Sequence, residues 1–187
     1  MKQRRNTIMR GASGAFGDEL VFRQRAGETV IAKPSILGPD SPTEKQVAVR
    51  TRFRAAAAYA KAILADPAMK AAYQAKTRRG ASPYNTAIQD YFQPPEIRFI
   101  DNTAYSGAIG TAIKVIATDD FRVNAVTVAI HNAAGAVLEE GPAIADPAGG
   151  DTWTYVATIE NAAPAGGKVV VQAKDLPGNT TTEELAL

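Results

Sequence analysis

Residues 123–141 read VNAVTVAIHNAAGAVLEEG. Val126, Val128 and Ile130 alternate with small or polar residues, the period-two pattern of a strand with one buried face, and Val169 and Val171 repeat it. Working outward, the same reading gives seven candidate strands: 97–100, 112–117, 123–130, 136–138, 153–159, 168–173 and 180–183. Gly, Pro, Asn and Asp fill most of the gaps between them. Seven short strands spaced in this way predict a β-sandwich over 96–187, with Trp153 or Tyr155 at its centre.

Upstream of Gln93-Pro94-Pro95 the period changes to about 3.6. Three helices are expected, near 42–65, 67–77 and 83–92. Ser41-Pro42-Thr43-Glu44 reads as a capping box with proline at the first helical position, and Asp66-Pro67 and Ser82-Pro83 repeat the cap-then-proline start. Val49, Phe53, Ala56, Ala60 and Ile63 form one stripe on the first helix, expected to be buried. Burial of Phe53 there would make Phe53→Ala cost about 3–5 kcal/mol. The alanines at 55–58, 60, 62 and 65 allow close packing but bury little area each, so this core is expected to borrow stability from a neighbour.

Residues 20–33, LVFRQRAGETVIAK, read as a hairpin turning at Gly27. Leu20 and Phe22 share one face; Val21, Arg23 and Arg25 share the other. A lone hairpin is marginal in water, so its apolar face needs a cover. Residues 1–19 are basic and then glycine-rich, expected to be a flexible or partner-ordered arm. They lack the strand–loop–helix context and the GxGxxG or GxxxxGK[ST] spacing of a phosphate loop.

Charge is divided unevenly. Residues 1–92 hold 16 Lys+Arg and 7 Asp+Glu and residues 93–187 hold 5 and 12, so the halves carry +9 and −7 within a total of +2. Opposite patches on one chain favour head-to-tail association between copies. Arg50, Arg54 and Lys61 fall on one face of the first helix. With Arg4, Arg5 and Arg10 in the arm and Arg23 and Arg25 on the hairpin, they are the candidate partner-binding residues. The same cations, with Tyr59, Tyr73, Tyr84 and Tyr91 as stacking groups, define an alternative, sequence-nonspecific nucleic-acid contact.

No catalytic residues are assigned: no grouped nucleophile, base and orienter is evident, no G-x-S-x-G elbow occurs, and no cofactor fingerprint is present. There is no cysteine, and His131 alone makes a poor zinc site, so no metal or cofactor is expected. Asp119-Asp120, without a D-x-[DN]-x-[DN]-G loop, reads as a solvated acidic loop rather than a calcium site. No run is long enough to span a bilayer, and the MKQRRNTIMRG start has no apolar stretch of a secretory signal.

The second half resembles bacterial immunoglobulin-like modules, in VNAVTVAIHNAAGAVLEEG, in the Trp153 and Tyr155 strand, and in the closing GGKVVVQAKDLPGNTTTEE. The resemblance implies a spacer, adhesive unit or decoration of a surface protein or of a phage or injection-system particle, with no catalytic set. The first half resembles a group of small Bacteroidota-type proteins, in GASGAFGDELVFRQRAGETVIAKP and PTEKQVAVRTRF; that likeness implies no activity. The expected fold is therefore multidomain α+β: an arm (1–19), a small hairpin-plus-three-helix domain (20–93), and an all-β immunoglobulin-like sandwich (96–187). The expected function is structural and non-enzymatic: a homo-oligomer, or a protein docked on a scaffold, in an extracellular appendage or assembled particle.

Overall fold

The computed structural model describes residues 9, 11–25, 27–34 and 42–187. It is an α+β chain with its three helices in the first half and most of its strands in the second. Arg4, Arg5, Arg10 and Ser41 lie outside the described residues.

β1 (Gly14–Phe16), β2 (Leu20–Arg25) and β3 (Glu28–Ala32) form an antiparallel sheet in that order. The expected hairpin is present, and β1, from the glycine-rich segment read as an arm, adds a third strand. Cross-strand pairing Phe16↔Leu20 and Phe22↔Ile31 puts these four apolar side chains on one face. None of the sheet's described residues is buried.

α1 (Glu44–Ile63), α2 (Pro67–Lys76) and α3 (Pro83–Phe92) start at capped ends. The α1 capping box sits two residues later than expected. Thr43 accepts from the Gln46 N–H at 3.3 Å, and the Gln46 side chain accepts from the Thr43 N–H at 3.0 Å. Thr43-x-x-Gln46 satisfies the same S/T-x-x-E/Q rule, which leaves Glu44 in the first turn, where a carboxylate suits the helix dipole. Asp66 and Ser82 cap as expected, accepting from Ala68 and Asn85 N–H.

The buried stripe is corrected. Ala56 and Ala60 are buried, but Phe53 is 52% exposed and Val49 68%. The reason is length: α1 has 20 residues, about 30 Å, whereas α2 and α3 have 10 each, about 15 Å. The short helices cover only the second half of α1, and every residue from 44 to 55 is exposed.

The second half forms two four-stranded antiparallel sheets, β4-β5-β9-β8 and β11-β10-β6-β7. Their strands are β4 (Glu96–Asp101), β5 (Ala112–Thr118), β6 (Val123–His131), β7 (Val137–Pro142), β8 (Ile144–Ala145), β9 (Thr152–Val156), β10 (Lys168–Asp175) and β11 (Thr180–Ala186). All seven expected strands are present, and β8 is an addition. Ile113, Val115 and Tyr155 of one sheet meet Val126, Val128, Ile130, Val169 and Val171 of the other in one core, and Trp153 is partly buried against it. Gly141 is required where the chain passes the Tyr155 ring, since a Cβ there would lie 3.0 Å from the ring edge.

Candidate interaction surfaces and the acidic junction

The β5–β6 and β10–β11 loops meet the helices. Phe121, from the first loop, stacks on Tyr73 of α2 with ring centroids 3.8 Å apart and an interplanar angle of 9°. Ala60, Tyr73, Ala87 and Phe121 form a second buried cluster, against which Leu176 of the other loop also packs. The helices and the sandwich thus share apolar core, beyond their covalent link at Pro94-Pro95.

Polar contacts reinforce this junction. Asp175 accepts from the Gly178 and Asn179 N–H groups at 2.7 and 2.6 Å and so closes the β10–β11 turn. The Asn179 amide then reaches the Tyr91 carbonyl of α3 at 3.1 Å. Gln89 donates to Asp120 at 2.8 Å, and Thr181 donates to the Pro95 carbonyl.

At the centre is Asp90, fully buried. Its Oδ2 accepts from the Tyr73 hydroxyl at 2.6 Å, and Tyr59 in turn donates to the Tyr73 oxygen at 3.0 Å. Among the described residues neither Asp90 Oδ1 nor Asp119 Oδ1 has a hydrogen-bond partner, and both are buried. Ionising the buried Asp90 beside other carboxyls and away from water is unfavourable. Burial pushes Asp90 up to about 7, against the opposing hydrogen bond from Tyr73 and with the help of the neighbouring Asp119 and Asp175 charges. Burial likewise raises Asp119, although the Phe121 and Arg122 N–H groups hold its other oxygen. Asp119-Asp120 is therefore only half a solvated loop: Asp120 is exposed, and Asp119 turns inward. A cleft of about 270 Å³, lined by Lys76, Arg78, Gln89, Asp90, Asp120 and Phe121, opens beside the pair. Among the described residues no group of three His, Asp or Glu side chains is arranged to hold a metal.

A second buried acid is satisfied. Glu139 Oε2 accepts from the Tyr155 hydroxyl, the Thr158 N–H and hydroxyl, and the Ile159 N–H, at 2.8–3.2 Å. Burial alone would raise this carboxyl; the four donors outweigh it and hold it below the usual range.

The described expected binding residues fall on two elements. Arg23 and Arg25 are exposed on β2, and Arg50, Arg54 and Lys61 are exposed on α1. The tyrosines do not line these surfaces as a stacking platform. Tyr73 is buried under Phe121, and Tyr59 packs on Tyr91 with centroids 5.6 Å apart. His131 ends β6, with Nδ1 3.1 Å from the Gly135 carbonyl. Among the described residues no helix is long and apolar enough to cross a membrane.

Sequence reasoning missed Asp90 and Phe121, and read Asp119 as part of a solvated loop. One signal was available for Asp90: it lies three residues after Ala87, on the apolar side of α3. Compared with known protein families, curated proteins and solved structures, the chain matches none.

Proposed function

We propose that this chain is a non-enzymatic assembly protein that self-associates or docks on a larger particle or appendage and displays an immunoglobulin-like sandwich. The observation that carries the reading is the first half of α1: three turns in which every residue is exposed, bearing Val49 and Phe53 on one flank, where Phe53 is only partly covered by Phe92, beside Lys45, Arg50, Arg52 and Arg54. A free helix of this length is marginal in water and gains stability from a partner on its apolar flank. The −7 second half of the chain adds the charge asymmetry that such contacts use.

The strand order supports the displayed module. β4-β5-β9-β8 against β11-β10-β6-β7 corresponds to strands A-B-E-D against G-F-C-C′ of immunoglobulin-like sandwiches. No disulfide takes part, since there is no cysteine.

Size exclusion with light scattering, read at 260 and 280 nm on protein not treated with nuclease, tests this reading. A multimer with protein-like absorbance is the expected result. A small species carrying excess 260 nm absorbance would instead put the arginines on nucleic acid, and a clean monomer would restrict the reading to docking on a different scaffold.

A further inference from the structure

Besides the apolar face of the β1-β2-β3 sheet, two apolar surfaces are left exposed among the described residues, and their electrostatic surroundings are opposite. On α1, Val49 and Phe53 stand four residues apart on one flank, with Arg50 and Arg54 on one side and Lys45 and Arg52 on the other. Phe53 stacks against Phe92 at 6.5 Å, and Arg52 lies 5.0 Å over the same ring, so the base of the flank is fixed in place. The other surface is the outer face of the β4-β5-β9-β8 sheet. Pairing of Phe99 with Ile116, and of Ile144 with Thr154, brings Phe99, Ile116, Ile144 and Val156 to that face. Phe99 is 59% exposed and Ile144 70%. Glu96, Asp101 and Asp146 fall on this face by register, against Arg98, which is paired with Glu96, and Lys114.

We infer that the Val49–Phe53 flank of α1 in one copy seats on the outer face of the β4-β5-β9-β8 sheet in the next copy. This rests on the self-association reading above and names its contact. A helix laid on an apolar sheet face is a standard layer packing, and here it would cover both exposed surfaces at once. Charge chooses between the available seats. Two α1 flanks set against each other would bring eight cations together, a repulsive arrangement. The outer face of the β11-β10-β6-β7 sheet carries Lys168, Lys174, Glu140 and Glu184, and its strands expose only Val137 among large apolar side chains. Because the two surfaces differ, the contact is heterologous and builds a ring or a filament.

Complementation between two full-length variants tests it. Val49→Asp with Phe53→Asp removes the α1 flank, and Phe99→Lys with Ile144→Lys removes the seat. All four positions are exposed, so each variant should keep the circular dichroism and melting of the unaltered protein. Arg50→Glu with Arg54→Glu is a second disruptor of the flank, with glutamate keeping helix propensity. By light scattering, the unaltered protein should be multimeric and each variant monomeric. Their equimolar mixture should give a species of twice the monomer mass, because only one intact pair of surfaces remains between them. Either variant retaining the unaltered mass, or a mixture that stays monomeric, would overturn the inference while leaving self-association standing. A monomeric unaltered protein would remove both.

Discussion

Asp90 and Asp119 place a titration at the centre of the molecule. The folded Asp90 carboxyl is raised to about 7, whereas an unfolded aspartate titrates near 3.8. Between those values the folded chain holds a proton that the unfolded chain releases. The stability it contributes is full below about pH 4 and is lost as pH rises through about 7. Urea unfolding should therefore show a free energy that falls between about pH 4 and 7 and levels off above it. Asp90→Asn keeps an acceptor for Tyr73 and offers Asp119 an N–H donor, so it should flatten that slope and stabilise the protein at pH 8 by roughly 1–3 kcal/mol. An Asn variant with the original slope would assign the titration elsewhere. The sequence shows Asp119 only as half of an acidic pair and does not mark Asp90, because one sits in a strand-to-strand loop and the other in a helix, and only the packing of α3 on the sandwich brings them near each other.

At the scale of elements, period and caps made the helices and strands legible. Val126, Val128 and Ile130 alternate because one face of β6 is core, and prolines at 67 and 83 follow side chains that cap. Ser41 is the expected cap of α1, whereas Thr43 takes the role, since its hydroxyl fits the same capping chemistry and Gln46 stands three residues on. α1 shows the larger gap between pattern and burial. Its stripe is apolar along its length, yet Val49 and Phe53 are left uncovered where α2 and α3 stop. Phe53→Ala in the dispersed protein should thus cost less than about 1 kcal/mol in unfolding free energy, not the 3–5 kcal/mol of a core phenylalanine. Backbone amides of 48–55 should exchange with deuterium much faster than those of 56–63 in monomer and slow on assembly. Uniform protection along α1 in monomer would show that something within the chain covers the flank.

On the scale of the whole molecule, the Tyr73–Phe121 stack couples the helices to the sandwich. Removing its aromatic partner by Phe121→Ala opens a cavity in the cluster that both units share, at a cost of about 3–5 kcal/mol. Calorimetry should show one cooperative transition in the unaltered protein, with the helices melting ahead of the sandwich in the Phe121→Ala variant. Unchanged cooperativity would mean that the Asn179–Tyr91 and Gln89–Asp120 hydrogen bonds suffice to join the two units. The sequence by itself determined the three helices, the hairpin, seven of the sandwich strands, the α+β division and the +9/−7 charge split, because periodicity, capping chemistry and charge are local properties that can be read residue by residue; β1 and β8 escaped it. Only the tertiary structure decided which apolar residues are covered, which acids meet, and that Phe121 closes the helical core. Those outcomes depend on how far one helix outreaches its neighbours and on contacts between residues distant in the chain, where burial and desolvation are set by geometry.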